Sequence, residues 1–446
     1  MRVRKPFIAA ALVASFLVAS CGDDETTSTT GATTTVSEGS DTTAAPDTTV
    51  PGDTVAPTTT VYVPPERGDA DLVIWADATR IPVLEPVAQA FGEAEGITVS
   101  VLEVPSDRIR DNLVTAGPAG QGPDIIVGAH DWLGELVSNG AVAPLDLGTA
   151  AGDYADVSVQ AFTYEGKTYG LPYAMENIAL IRNTDLVPEA PATWEELETI
   201  ALQLVADGKA DVPLAVQQGP ADPYHNFPLY SMTGANVFAQ NADGTFDPTQ
   251  LGLDTPEGLA SAANFAKWSE EGLISKDVTY DIMIDSFGSG RAPFAITGPW
   301  AVNDPDRGFK AMGVNYVVEP IPALAGGATP RVFVGVQGFM ISAFSEKQDL
   351  AKTFLLDYVN TEDVQLALFD VGGRAPAMTS AYEQVSTDAD VLGFGAAATA
   401  GQPMPAIPAM SKVWTAWTDA YSLIFTGTDP ATAFTDAAAA IRSEIG

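Results

Sequence analysis

The stretch DLVIW, residues 71–75, is a short apolar run led by a polar residue, and its length predicts a buried β-strand. Val83, Val87 and Phe91 then recur at helical spacing, which predicts a helix directly after the strand. Apolar side chains alternate through residues 97–101, as they do in a strand. This order of strand, helix and strand predicts an α/β fold.

The same alternation of strands and helices continues further along the chain. Residues 124–127 (DIIV) predict a third strand. Thr193 and Glu196 fit a capping box, in which the threonine hydroxyl accepts a backbone amide and the glutamate reaches back. Ser345 and Gln348 fit a second capping box before another apolar helix.

Length and charge bound the class of protein. Residues 70–446 amount to about 375, more than one hydrophobic core usually serves, so two lobes are expected. The formal net charge is −37, from 21 basic and 58 acidic residues. This balance argues against nucleic acid as a partner and disfavours an acidic substrate. It suits a solubilising surface or a saline habitat.

The chain begins with the pattern of an export signal. Basic residues near the start precede apolar residues 7–19, a run too short to cross ~30 Å of hydrocarbon. Residues 1–20 are therefore predicted to be a signal peptide. Residues 17–21 (LVASC) resemble a bacterial lipobox, which implies that Cys21 becomes the first mature residue and carries acyl chains such as palmitate. An ordinary signal peptide with a chance cysteine is the alternative.

The segment after the signal is predicted to be a tether. Residues 21–68 begin with the acylated Cys21 and are rich in Thr, Ser and Asp, with too few large apolar side chains to offset the entropy of ordering. The tether would hold the protein at the cell membrane, on its extracellular or periplasmic face. The lipid anchor would be its only contact with the membrane.

Few residues suggest catalysis. The chain has two histidines, His130 and His225, and a single cysteine, so neither metal spacing nor a thiol nucleophile is evident. His130 beside Asp131 would suit a metal-dependent hydrolase only with further histidines. Nucleophile-elbow and phosphate-loop motifs are also missing from the sequence. We expect no catalytic residue, metal or cofactor, although paired carboxylates of a glycoside hydrolase stay open.

The aromatic residues indicate a sugar site. Several lie beside Pro, Gly or polar residues rather than inside apolar runs, and four carboxylates accompany them. A sugar ring packs its C–H face on an aromatic plane and donates its hydroxyls to carboxylates, and pockets combine apolar walls with a few polar groups. A purely structural role is the alternative for each aromatic residue. The candidate residues are Trp75, Trp132, Tyr224, Trp300, Trp414 and Trp417, with Asp77, Asp131, Glu176 and Asp222.

The chain resembles the maltose/maltodextrin-binding proteins of bacterial sugar importers. The matching segments occur in the family's order from about residue 70 to 446. They are LVIW (72–75), GPDII (122–126) with AHD (129–131), NTDL (183–186) with TWEE (193–196), TGPW (297–300), FVGV (333–336) and MPAIPAMS (404–411).

The resemblance implies a two-lobe periplasmic-binding-protein fold with a hinge and a cleft between the lobes. The N-terminal lobe would comprise residues 69–175 and 338–385, and the C-terminal lobe residues 176–337 and 386–446. It also implies a monomer that captures a gluco-oligosaccharide and delivers it to the permease subunits of an ABC importer, without enzymatic activity. An exported glycoside hydrolase and an adhesive or structural lipoprotein are the alternatives.

The resemblance also implies roles for single residues. Asp131 and Glu176 match carboxylates that bind sugar hydroxyls, and Asp222 stands where the family usually has Glu. The remaining matches are Tyr224, Trp300 and Trp414 as aromatic platforms, Arg80 as a basic cleft residue, and Asp77 and Thr79 as altered cleft positions.

Three positions depart from the family pattern. Gly128 replaces an expected Trp, and Trp132 stands in place of a basic residue, as a candidate replacement for that plane. Trp417 replaces an Arg, and Arg108 and Arg110 match no definite position. These departures favour maltodextrins as a class, with trehalose or another α-glucoside as alternatives to maltose.

Overall fold

The computed structural model describes residues 62–241 and 245–446. The predicted signal peptide (1–20), Cys21 and the tether up to residue 61 lie outside the described residues. Across the described ranges, no helix combines the length and apolar character that a membrane span needs.

The described residues form sixteen strands, sixteen α-helices and three helices of other types. The strands are β1 Leu72–Ala76, β2 Val99–Glu103, β3 Ile125–Ala129, β4 Val142–Ala143, β5 Thr163–Tyr164, β6 Lys167–Thr168, β7 Gly170–Glu176, β8 Ala179–Asn183, β9 Leu214–Ala215, β10 Phe238–Gln240, β11 Phe246–Leu251, β12 Phe294–Thr297, β13 Tyr316–Glu319, β14 Phe333–Ser342, β15 Ala375–Pro376 and β16 Gln402–Pro403. The α-helices are α1 Ile81–Glu95, α2 Ser106–Ala116, α3 Leu133–Ser138, α4 Asp156–Ala161, α5 Trp194–Ala206, α6 Pro223–Ser231, α7 Pro256–Glu270, α8 Tyr280–Gly288, α9 Pro299–Asn303, α10 Phe309–Met312, α11 Gln348–Thr353, α12 Glu362–Gly372, α13 Thr379–Val385, α14 Ala389–Ala398, α15 Met410–Phe425 and α16 Pro430–Ile445. The others are the 3₁₀ helices His130–Trp132 and Gly148–Asp153 and the π-helix Phe354–Val359.

Two main sheets organise the fold. The large sheet has the order β15-β7-β14-β3-β1-β2, with β4 and β16 also paired to β14. β1 runs parallel to β2 and β3, whereas β14 runs antiparallel to β3 and β7. The small sheet has the order β13-β8-β12-β9. The α/β class and the three strands predicted at the start of the chain are confirmed.

The central strands β1, β3 and β12 are buried on both faces, which explains why they are nearly continuous apolar runs rather than alternating ones. On β1, Ile74 packs in one core and Trp75 in another, on the opposite face. On β8, Leu180 and Ile181 divide in the same way between the two cores of the small sheet.

The chain passes between the sheets at two places near each other. β7 ends at Glu176 in the large sheet, and β8 begins at Ala179 in the small sheet. β14 brings the chain back, because Phe333 packs in a core of the small sheet and Val336 in a core of the large sheet. Two sheets with separate cores, joined by short crossings, give the two-lobe fold that the resemblance implied.

The two predicted capping boxes had different outcomes. Thr193 caps α5 by accepting the amide of Glu196, and the Glu196 carboxylate accepts the amide of Ala192, one residue earlier than in the standard box. The second prediction was wrong, because α11 begins only at Gln348 and Ser345 does not cap it. The Ser345 hydroxyl instead donates to the carboxylate of Asp124, which is buried and needs partners.

Residues 62–68, the last part of the predicted tether, contact the large-sheet lobe. Arg67 donates to the carbonyl of Gly122 and to the carboxylate of Asp124, each at 2.7 Å. Tyr62 packs against a core of the large sheet.

Candidate ligand-binding cleft

Polar and aromatic side chains come together where strands of both sheets end. Asp77 follows β1, Asp131 follows β3, and Glu176 ends β7 of the large sheet. From the other side, Trp300 follows β12 and Tyr224 lies in the first turn of α6. In open α/β sheets the crevice beyond the carboxyl ends of strands is the usual ligand site.

A hydrogen-bonded network holds the large-sheet side of the cleft. Arg80 is 3% exposed, and its guanidinium binds Asp77, donates to the Tyr173 hydroxyl at 2.6 Å and donates to the Gln337 side chain at 3.2 Å. The amide of Gln337 then donates to Glu176 Oε1 at 2.6 Å. Because its donors are engaged inside the protein, Arg80 orients its neighbours.

Arg374 extends this network to the small-sheet lobe. Its Nε donates to the second oxygen of Glu176, and its guanidinium carbon lies 5.2 Å from the ring centroid of Trp300. Burial alone would raise the pKa of Glu176, but Arg374, Gln337 and Arg80 together hold that pKa below its usual value. Glu176 is therefore a carboxylate with both oxygens already bonded.

Four aromatic rings form a row along the small-sheet side. The ring of Tyr224 lies 6.3 Å from Trp300 and 6.2 Å from Phe333, and Phe333 lies 6.0 Å from Trp414. Tyr224, Trp300 and Trp414 are partly exposed, so this row offers apolar planes to a ligand. The predicted platforms are thus brought together.

Three buried polar atoms in this region have no partner among the described residues: Asp131 Oδ1, the Tyr224 hydroxyl and His225 Nε2. Buried polar atoms normally form hydrogen bonds, so these three suit a ligand that carries several hydroxyl groups. Burial raises the pKa of Asp131 to about 7, although Arg110 opposes the shift. Burial likewise raises the pKa of the Tyr224 hydroxyl.

Asp222 sits at the start of α6 and orients its neighbours. One oxygen accepts the amide of Tyr224 at 2.9 Å, and the other lies 2.6 Å from His225 Nδ1. Burial would raise the pKa of Asp222, but His225 and the backbone amides lower it. The Asp222 side chain is 28% exposed, so it can also reach a ligand.

Trp75 and Trp417 are not at the cleft surface, because both are 0% exposed. Trp75 points into a large-sheet core from the interior of β1. Trp417 lies one helical turn after Val413 on the buried face of α15, with its ring 4.8 Å from Tyr230. Trp414, on the adjacent face of the same helix, stays partly exposed.

Thr79 lies beside Asp77, and Arg108 and Arg110, which the sequence assigned to no definite position, lie in α2. Thr79 is partly exposed, and its amide donates to Asp77. Arg108 is 55% exposed and pairs with its neighbour Asp107. Arg110 lies within 3.3 Å of Glu135 and acts electrostatically on Asp131, which places it on the side of the Asp131 carboxylate.

Sequence reasoning missed several cleft residues. Arg374 comes directly after Gly373, which ends α12 at φ +63, and nothing in the local pattern shows that it reaches Glu176. His225 had a signal, since it follows Asp222 by three residues at a helix start. The other missed residues are Tyr173, Gln337 and Phe333. In the described ranges, no three His, Cys, Asp or Glu side chains are grouped so that they could hold a metal ion.

The sequence model of a family described as "bacterial extracellular solute-binding protein" matches residues 87–396. A galactooligosaccharide-binding protein of Bacillus subtilis (strain 168) is 28% identical over 84% of this chain and 90% of its own length. A maltooligosaccharide ABC transporter solute-binding lipoprotein of Streptococcus pneumoniae R6 is 27% identical over 77% of this chain and 81% of its own length.

The fold also matches solved structures. The Thermus thermophilus maltotriose-binding protein, solved with maltotriose bound, aligns with a TM-score of 0.76 and 32% identity. The alignment covers 84% of this chain and all of that one. The family model spans more than half of the chain, and the alignments agree with the fold and with the resemblance drawn from the motifs. The chain therefore belongs to the bacterial extracellular solute-binding proteins, in the group that resembles maltodextrin-binding proteins.

Proposed function

We propose that this protein captures a gluco-oligosaccharide of the maltose/maltodextrin class and delivers it to an ABC importer. The observation that carries the proposal is the row of partly exposed aromatic rings beside buried, unpartnered polar atoms. A sugar supplies what both need, since its C–H faces pack on rings and its hydroxyls donate and accept hydrogen bonds. The names of the related proteins support this class of ligand.

The cellular location and the mode of action form the second part of the proposal. Cys21 carries the lipid anchor, and the protein works as a monomer on the extracellular or periplasmic face of the cell membrane. The lobe boundaries predicted from the resemblance stay a prediction. Closure of the two lobes around the sugar would produce the form that the permease subunits recognise. The lipoprotein name of the pneumococcal relative supports the anchor.

We propose binding without catalysis. A glycoside hydrolase needs one carboxylic acid and one free carboxylate across the bond that breaks. Asp131 and Glu176 have pKa values shifted in opposite directions, but both oxygens of Glu176 are bonded to Gln337 and Arg374. Incubation with maltodextrin should therefore release no new reducing ends, and their appearance would favour the hydrolase.

The ligand class can be tested by thermal shift with maltose, maltotriose, trehalose, cyclodextrins, sucrose and a galactooligosaccharide. A ligand that binds only the folded state raises stability by RT ln(1 + [L]/Kd), so the correct sugar should raise Tm in a concentration-dependent way. We expect maltotriose to do so. A response to the galactooligosaccharide alone would move the specificity to another sugar class, and no response to any sugar would contradict the proposal.

Substitution of the aromatic row tests where the sugar lies. Trp300→Ala and Trp414→Ala should each weaken maltotriose binding by about 1–3 kcal/mol, because each removes a ring that packs on the sugar. Isothermal titration calorimetry measures the change. Tyr382→Ala is a matched control, since Tyr382 is an exposed aromatic residue in α13. Affinity that is unchanged in both tryptophan variants would contradict the cleft assignment.

A further inference from the structure

Gly128 in β3 lies directly against the indole of Trp132. A Cβ atom added at Gly128 would lie 2.7 Å from Cη2 of Trp132 and still closer to Cζ3 and Cε3. Non-bonded carbon atoms do not approach so closely, so the six-membered ring of Trp132 occupies the space that any side chain at position 128 would need.

The backbone does not require glycine at this position. Gly128 is part of β3, pairs with Gly338 of β14, and is not among the residues with positive φ. Gly128 therefore leaves room for the ring of Trp132, and its backbone conformation would allow other residues.

The neighbouring strand shows what is particular about Trp132. Directly paired residues of antiparallel strands point to the same face, and a Cβ at Gly338 would lie 2.5 Å from Phe162 Cε2. The glycine pair thus accommodates two aromatic rings. Phe162 is 0% exposed and belongs to the core, whereas Trp132 stays partly exposed beside Asp131.

The small-sheet lobe repeats the arrangement. A Cβ at Gly298 would lie 2.6 Å from Cε3 of Trp300, so this indole also rests on a glycine just after a strand. Trp132 and Trp300, one in each lobe, are therefore partly exposed indoles that rest on a glycine.

We propose that Gly128 is a positioning residue, which lets Trp132 lie flat on β3 and present its free face to a pyranose ring in the cleft. The inference rests on the proposed function and deepens it, because it assigns the stacking plane on the large-sheet side. A side chain at position 128 displaces this plane without touching the sugar.

A double-mutant cycle tests the coupling. Gly128→Ala and Trp132→Ala should each weaken maltotriose binding about tenfold or more in calorimetry, the scale of a lost aromatic contact. The double variant should bind no more weakly than Trp132→Ala alone, since the added methyl group then has no ring to displace. Wild-type affinity in Gly128→Ala, or two effects that multiply, would overturn the proposal. Gly395→Ala is the matched control, because Gly395 is exposed with nothing within 4 Å of an added Cβ.

A second measurement does not depend on the sugar. Fluorine NMR of protein labelled with 5-fluorotryptophan should show seven resonances, one for each tryptophan, and Trp132→Ala identifies that of Trp132. In Gly128→Ala this resonance should move more than any other, and an unmoved resonance would overturn the positioning role.

If Gly128→Ala does not fold, recovery of folding in the double variant supports the same contact, and failure to recover contradicts it. If the wild-type protein binds none of the sugars, both the proposed function and the stacking of Trp132 on sugar are overturned. The shift of the Trp132 resonance in Gly128→Ala would still test whether Gly128 positions Trp132.

Discussion

At the scale of single residues, the cleft holds two carboxyl groups in opposite environments. Glu176 is ion-paired with Arg374 and accepts a hydrogen bond from Gln337, and its pKa is lowered. Asp131 is 9% exposed, and burial raises the pKa of Asp131 to about 7. Arg110 opposes this shift, but Arg110 also pairs with Asp111 and Glu135. The negative charges of Glu176 and Glu135 also favour the neutral form of Asp131. Asp131 therefore titrates near neutral pH in the ligand-free protein.

Asp131→Asn should remove a pH-dependent loss of stability. In the unfolded chain the carboxyl ionises near 3.8, whereas in the folded protein it stays protonated up to about pH 7. The protonated form thus favours folding below about pH 4, and this contribution is lost as pH rises through about 7. Between about pH 4 and 7, the free energy of unfolding of the wild type should decrease relative to that of Asp131→Asn by at most about 4 kcal/mol. Urea denaturation at pH 4, 5, 6 and 7 measures the difference.

The exposed residue Glu189 provides the control for this series. Glu189→Gln should follow the wild-type curve within error, because it removes an exposed carboxyl group rather than a buried one. A difference between Asp131→Asn and wild type that does not vary with pH would contradict the assignment.

At the scale of secondary-structure elements, His130 joins three segments that meet at the crossing. Its Nδ1 accepts the amide of Val336 in β14 at 3.1 Å, so its Nε2–H donates to the carbonyl of Met404 before α15 at 3.2 Å. Burial lowers the pKa of His130 to about 4, which keeps the ring neutral at physiological pH. His130, which the sequence did not support as a metal ligand, thus holds backbone segments together.

His130→Ala should destabilise the protein by about 2–4 kcal/mol, because it leaves a buried amide and a buried carbonyl unpaired and opens a cavity. His130→Gln, which can replace one of the two bonds, should lie between alanine and wild type. Urea denaturation at pH 7.5 gives both values. A cost below about 0.5 kcal/mol for the alanine variant would show that the ring does not hold the segments together.

At the scale of the whole molecule, the two lobes are connected through the cleft by an ion pair and a ring contact. Glu176 stands at the end of the crossing strand β7, and Arg374 binds it while lying over Trp300 of the small-sheet lobe. Both charged side chains are about nine-tenths buried, at 9% and 11% exposed. A sugar that enters must fit around this pair or move Arg374 from the face of Trp300.

Arg374→Met and Glu176→Gln should each destabilise the protein, since each leaves a buried charge without its partner. Breaking a buried pair on one side costs about 3–5 kcal/mol, whereas removing both charges is often close to neutral. The double variant should therefore be more stable than either single variant in urea denaturation. Costs that add in the double variant would show that the two groups act independently.

The sequence by itself indicated the α/β class and, through the family resemblance, the two-lobe fold; it also proposed part of the candidate cleft. The strands at Leu72–Ala76 and Ile125–Ala129 were predictable, because the short apolar runs that indicate them are local in sequence; the structure buries both strands on both faces. Tyr224 and Trp300 each follow a Pro at the start of a helix and stay partly exposed, as the sequence predicted. Trp414 is also partly exposed, although it lies inside α15.

Only the tertiary structure decided which of these side chains meet. Trp75 and Trp417 have local sequences like those of the exposed aromatic residues, yet both point into cores. The face on which each side chain lies depends on how its strand or helix packs. Arg374 and Gln337 are 198 and 161 residues from Glu176 in the sequence, and no local sequence pattern predicts contacts between residues so far apart. The reason is physical: secondary structure follows largely from neighbours in sequence, whereas a cleft is assembled from strand ends that only the folded sheets bring together.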